Sequence, residues 1–293
     1  MKKKSDLVEK INGLLRQARV PVYLHHFGPK TYKTLQHCKA WLLKEAHKCS
    51  WQDYIDDWAS QELNKVPECS TLKKFVKRLP MWLKNKLVSL SAGFEPAEYG
   101  AIDSTGLSRT NASQHYTKRI DRETPIKQPL KLSMYTTKKR ILSFRLRAKA
   151  RGDTKDVRYL TKNSQVLATT NCLDKGYDSN PIHAHFRDKG VYSIIPIRNN
   201  GKRGQYRKEM KNYFDHAQYW QRNCAEYNNS SLKRRFGDYV RSVKFCAQHA
   251  EVTARIIIHN LKSFLLRLFH QSPKIILLFF NHASQTRNKL INA

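Results

Sequence analysis

"LKLSMYTTKKRILSFRLRAKARGD", residues 130–153, predicts two strands folded back about Lys138 and Lys139. In the second arm Leu142, Phe144, Leu146 and Ala148 alternate with Ser143, Arg145, Arg147 and Lys149. Period-two alternation gives a strand one apolar and one cationic face. Upstream, "AEYGAIDSTGL" (97–107) is a short strand that Asp103 closes before a polar turn. Downstream, "DTKDVRYLTKN" (153–163) predicts a helix and "SQVLATTNCLD" (164–174) a strand. "DSNPIHAHFRDKG" (178–190) then predicts a helix and "VYSIIPIR" (191–198) a strand. Hairpin strands followed by alternating helix and strand imply an α/β fold, a mixed sheet covered by helices. "RNNGKRGQYRKEMKN" (198–212) is expected to be a basic, glycine-containing loop, and a long helix is expected from about 217 to 236.

Residues 1–95 are expected to form an all-helical domain. "TYKTLQHCKAWLLKEAHK" (31–48) carries Leu35, Trp41, Leu42 and Leu43 on an apolar stripe, and Ser50 caps the segment that follows. "STLKKFVKRLPMWLKNKL" (70–87) sets Leu72, Phe75, Val76 and Leu79 against Lys73, Lys74, Lys77 and Arg78. Two helices joined by "NKVPEC" (64–69) have the layout of a helix-turn-helix, although a solvated basic face gives the same pattern. Residues 96–270 would form the sheet-containing domain and 271–293 an apolar tail.

The chain has 293 residues, with 55 Lys+Arg against 23 Asp+Glu and a formal net charge of +32. Its 40% hydrophobic and 11% aromatic content belong to a folded protein, so this charge calls for a polyanionic partner, nucleic acid above all. Six cysteines without a C-x-x-C pair argue against a zinc ribbon or a disulfide framework, and no apolar run follows the first lysines. A cytoplasmic, nucleoid-associated protein is expected. The apolar stretch 255–280 is interrupted by Arg255, His259, Lys262, Arg267, His270 and Lys274, which predicts a buried helix with a Ser-Pro break and excludes a bilayer span.

Against this basic background a few carboxylates stand at strand ends. Asp103 lies in "AIDSTGL" and Asp174 in "LDKGYDS", where open α/β sheets gather functional groups. Aspartate before a turn also caps helices or bonds its own backbone, and Asp178 is assigned that role. Gly176 would ease the turn after Asp174. The segment "YWQRNCAEYNNSSLKRRFG" (219–237) holds Tyr219, Arg222, Glu226 and Lys233 in the pattern Y-x2-R-x3-E-x6-K. At helical pitch these four fall within a sector of about 60°. Such a face is either an ion-pair ladder or a carboxylate presented beside phosphates. Two Mg²⁺ ions about 3.5–4 Å apart, held by carboxylates, suit phosphodiester chemistry. His183 and His185 are expected on the surface, Glu209 in a loop, Glu251 without companions, and Cys172 and Cys246 packed as small apolar residues.

"IDST", "LDKGYDS" and the Y-x2-R-x3-E-x6-K helix together resemble the DDE transposases of prokaryotic insertion sequences, over roughly residues 97–265. The resemblance implies an RNase H-like catalytic core behind the N-terminal helical domain. It implies that Asp103, Asp174 and Glu226 are catalytic and bind two Mg²⁺ ions, with Mn²⁺ as a substitute. It assigns Tyr219, Arg222 and Lys233 to transposon-end DNA around the cleaved phosphate. Binding to terminal inverted repeats and target DNA, strand cleavage, strand transfer and a homodimer on paired ends follow from the same resemblance. Asp174 and Glu226 are only 52 positions apart, too close for the large β insertion that some relatives place there. An inactive DNA-binding relative and a stand-alone RNase H-like nuclease are the alternatives.

Overall fold

The computed structural model describes residues 2–24, 30–109, 128–149, 151–199, 201 and 203–263. Five strands form one mixed sheet in the order β3-β2-β1-β4-β5: β1 Tyr99–Leu107, β2 Leu130–Thr137, β3 Arg140–Arg147, β4 Thr170–Leu173 and β5 Tyr192–Ile194. β1, β2 and β3 run antiparallel, while β4 and β5 lie parallel on the other side of β1. This is the RNase H-like α/β arrangement. The hairpin turns at Lys138 and Lys139, as the sequence predicts, with Lys139 in the left-handed region at φ 66°. β4 and β5 are shorter than their apolar runs, because only four and three residues find ladder partners.

Alternation along β3 breaks once. The register slips between Tyr135 and Thr136, which pair with Ser143 and Ile141, and Leu142 is left between. Leu142 therefore joins Ile102, Tyr135, Val157, Leu160, Leu173, Ile182 and Phe186 on one face of the sheet, under the helices Thr154–Lys162 and Asn180–Arg187. Phe144 and Leu146 pack on the opposite face with Leu132, Met134, Ile256 and Ile257. The expected cationic face is partly paired. Asp156, fully buried, accepts from Ser133 Oγ at 2.8 Å and pairs with Arg147 at 2.6 Å and Arg145 at 3.5 Å.

The second core also includes the N-terminal helices, so they pack directly on the sheet's second face. Leu7, Ile11, Leu15, Trp41, Leu42, Leu72, Leu83 and Leu87 belong to the same apolar cluster as Phe144 and Ile256. Leu35 lies outside the stripe, 39% exposed. Pro80 divides the segment 70–87 into two helices, Cys69–Arg78 and Met81–Ala92, since proline cannot continue the helical hydrogen bonding. Lys73, Lys74, Lys77 and Arg78 are exposed. A helix over 245–263 closes this face, and the Ser-Pro break at 272–273 lies outside the described residues. Its Asn260 satisfies the backbone of edge strand β3, accepting from Ile141 N and donating to Ile141 O, both at 2.9 Å. Glu251 has companions after all: it accepts from Arg241 N and Ser242 N and pairs with Arg255, which also reaches Glu45. Cys172 is buried as expected, whereas Cys246 is exposed. No helix among the described residues is long and apolar enough to cross a membrane.

Gly100 sits where β1 passes closest to its neighbours. A Cβ built there would stand 2.9 Å from both Ala168 Cβ and Tyr135 Cε2, and 3.1 Å from Asn171 Oδ1. Tyr135 and Asn171 are bonded to each other at 2.7 Å, so neither can yield cheaply. Gly100→Ala should lower unfolding stability by about 1–3 kcal/mol, read by denaturant titration against wild type.

Candidate active site

Asp103 does not close β1; the strand runs on to Leu107. What ends at this point is the pairing with β4, whose last register pair is Ile102 with Leu173. Asp103 and Asp174 are the next residues on two neighbouring parallel strands, and so stand at one level of the sheet. Alternation turns both away from the core that holds Ile102 and Leu173. They lie on the side of Cys172, whose thiol donates to Gln218 O.

The segment expected as one helix from about 217 to 236 consists of a turn His216–Tyr219, a 3-10 turn Trp220–Arg222 and the helix Asn223–Phe236. Ala225, Asn228, Leu232 and Phe236 are its buried positions. Asn228 donates to Thr137 O at 3.0 Å and Cys224 contacts Thr136, which anchors the helix across β2. Asn229 donates from Nδ2 to Asp103 Oδ2 at 3.0 Å. Glu226 lies three residues before Asn229 and Lys233 four residues after, so one stripe of the helix runs past Asp103. Arg222 Nη2 donates to Glu226 Oε1 at 2.5 Å, and the Glu226 side chain is 54% exposed.

Electrostatics tie these groups together. Burial pushes the Asp103 carboxyl above its ordinary range; Asp174 and Glu226 add to that, while Ser104 N–H and Arg222 oppose it. Partial burial works against the Arg222 charge, yet its pKa is raised because Tyr219, Glu226, Asp174 and Asp103 surround it. Burial also raises Tyr219, with Arg222 pulling the other way. The structure thus brings Asp103, Asp174, Glu226, Tyr219 and Arg222 into one electrostatic neighbourhood. Lys233 is half-buried farther along the stripe and makes no ion pair among the described residues.

Among the described residues no three His, Cys, Asp or Glu side chains are drawn into a ready-made cation cage. The donor set nevertheless suits a hard cation. It offers carboxylate oxygens, and Asn229 Oδ1 is buried beside Asp103 without a hydrogen-bond partner. Asn229 was not found from sequence. The available signal was its offset of three from Glu226, which puts it on the same helix face.

Other expectations change. Asp178 is no helix cap: it is buried, accepts from Arg198 N at 2.9 Å and pairs with Arg207 at 2.9 Å. Arg207 and Glu209 lie on a helix, Gln205–Asn212, in the stretch expected as a loop, and Glu209 pairs with Arg187. Lys202 lies outside the described residues, and Arg203 is exposed. His183 is buried, hydrogen-bonded to Ser193 Oγ at 2.8 Å, and burial pushes its pKa down to about 4. His185 instead meets Thr161 Oγ1 at 2.8 Å. Gly176 has no positive φ and a Cβ there would meet only ordinary contacts, so its freedom is not what makes the turn.

The Asp178–Arg207 pair fixes the chain just after Asp174. Arg207→Met should cost about 3 kcal/mol of stability, the low end for breaking a buried ion pair, because the arginine is partly solvated. Denaturant unfolding checks this, and restoring stability by the further change Asp178→Asn would confirm that the stranded charge is the cause.

Residues 95–261 match the family model described as Transposase DDE domain. No curated protein matches the chain. Among solved structures, the chain is similar to the piggyBac transposase in its synaptic complex with hairpin DNA, at a TM-score of 0.46 and 13% identity, covering 92% of this chain and 73% of that one. That likeness is too loose to add to the assignment. The family match covers more than half of the chain and contains both aspartates and the whole Tyr-Arg-Glu-Lys segment. The chain belongs to the DDE transposase domain family.

Proposed function

We propose that Asp103, Asp174 and Glu226 form the catalytic centre of a DNA transposase that cleaves a strand at the element's end and joins it to target DNA. The observation that carries this reading is the register of β1 on β4, which sets two aspartates side by side under the helix bearing Glu226. Members of this family generally use divalent metal ions. Here the three carboxylates would hold Mg²⁺, two ions by preference, with Mn²⁺ as a substitute; when bound they would stabilise the attacking and leaving oxygens of phosphodiester exchange. Asn229 holds Asp103 in place, and its buried, unpartnered carbonyl oxygen would be a further ligand. Arg222 shields the carboxylates from one another in the resting protein and, with Tyr219 and Lys233, holds phosphates of the end DNA.

The remaining assignments follow from this reading. Residues 1–95 serve as the DNA-binding region, their exposed lysines at 73, 74 and 77 facing a groove, and 96–270 as the catalytic region, with 271–293 as a tail. The binding sites would be terminal inverted repeats, in a cytoplasmic, nucleoid-associated protein. A homodimer on paired ends brings two such centres to one target.

Asp103→Ala, Asp174→Ala and Glu226→Ala should each abolish Mg²⁺-dependent cleavage and strand joining while leaving DNA binding nearly intact. Lys233→Ala should weaken cleavage and lower the salt slope of binding by about one. Cleavage and joining are followed on a labelled duplex carrying the element end. Wild-type cleavage by any of the three carboxylate variants would remove that residue from the centre. Cleavage without joining would instead favour a nuclease.

A further inference from the structure

Behind the 3-10 turn that carries Arg222 lies an open cavity of about 900 Å³, bounded by the start of β1, the β2–β3 turn and the glutamate helix. One wall is a second stripe. Trp220, in the 3-10 turn, and Cys224 and Tyr227, on the helix, line the cavity, whereas Asn229 meets Asp103 and Glu226 pairs with Arg222. Trp220 is 70% exposed and Tyr227 45% exposed, although most large apolar side chains among the described residues are buried. Another wall presents Lys138 and Lys139, and Lys138 is exposed at the hairpin tip. Arg140 is committed to structure, donating to Ala92 O and Glu95 O. Glu98 is the acidic group on the rim and engages the Tyr99 hydroxyl.

Two exposed rings facing two lysines fit neither a packed core nor a phosphate site alone. Aromatic faces that stack bases beside cations that hold phosphates are how proteins bind unpaired nucleic acid. A base pair inside a duplex cannot stack on these rings, because both of its faces are already covered by its neighbours. The cavity lies a short way along β1 from the proposed catalytic centre: Tyr99, which lines it, precedes Asp103 by four strand residues, about 13 Å. That is about four nucleotides at duplex rise, and fewer for an extended strand.

We propose that this cavity is a second DNA subsite, which takes unpaired nucleotides of a strand passing the catalytic centre, with a base against Trp220 and Tyr227 and phosphates at Lys138 and Lys139. The inference rests on the catalytic reading only for which strand arrives there. Its test is therefore made without metal, so that failure of the carboxylate assignment leaves the outcome unaffected.

The full chain is titrated in EDTA with a fluorescent duplex bearing a four-nucleotide overhang, with the same duplex blunt, and with an abasic overhang. Wild type should bind the overhang at least fivefold tighter than the blunt duplex, in line with about 1–3 kcal/mol per stacked base, and the abasic overhang should lose most of that preference. Trp220→Ala should remove the preference without changing blunt-duplex affinity, and Trp220→Phe should restore part of it. Lys138→Ala should reduce the salt slope for the overhang alone. Equal binding of overhang and blunt duplex by wild type, or full preference retained in Trp220→Ala, would overturn the proposal.

Discussion

Two carboxylates at the same level of neighbouring parallel strands repel each other, and much of this molecule is arranged around holding them there. The pairing of Ile102 with Leu173 fixes that level, because the next residue on each strand is an aspartate. Slipping β4 by one position would turn Asp174 to the opposite face of the sheet and break the juxtaposition. The close approach at Gly100 guards against such a slip. Burial already works against ionisation of Asp103, and its carboxylate neighbours add to the cost; Arg222 offsets it from the 3-10 turn before the glutamate helix.

A chain of polar groups supports β1 from the other side. Buried Asp156 accepts from Ser133, Ser133 meets Ser104 at 2.9 Å, and Ser104 meets Tyr177 at 3.1 Å. These links join the residue after Asp103 to the turn after Asp174 on the face covered by the helices Thr154–Lys162 and Asn180–Arg187. Asp156 brings in Arg145 and Arg147, which explains how β3 carries so much positive charge without exposing all of it. Far from the site, Asn260 and the Glu45–Arg255–Glu251 group fasten the last described helix to both β3 and the N-terminal helices. The helices and the sheet therefore share one core, and the glutamate helix rests on a single continuous scaffold.

Much of this was legible in the sequence because it depended on local periodicity. The β2–β3 hairpin, the helices at 154–162 and 180–187 and the segment 219–236 all carry their pattern in consecutive residues. What could not be read depended on partners distant in sequence. Leu142 leaves its alternating face because of a register slip set by β2. Asp178 and Glu251 seemed ordinary acids because Arg207, Arg198 and Arg241 come to them only through the fold. The stretch 205–212, rich in charge and preceded by glycines, shows little apolar periodicity, yet it forms a helix with Met210 buried. Asn229 escaped notice for a related reason: an amide carries no motif, and its meaning arises only from the carboxylate it touches.

The carboxylates, with Asn229 beside them, are proposed to form one cation site. Titrating Mn²⁺ into the DNA-bound protein and counting bound ions by electron paramagnetic resonance tests it most directly. Two Mn²⁺ per chain with spin coupling between them are expected, with loss of the coupled signal in Asp174→Ala and weaker binding in Asn229→Ala. Uncoupled Mn²⁺ signals that are unchanged by Asp103→Ala, Asp174→Ala and Glu226→Ala would contradict it.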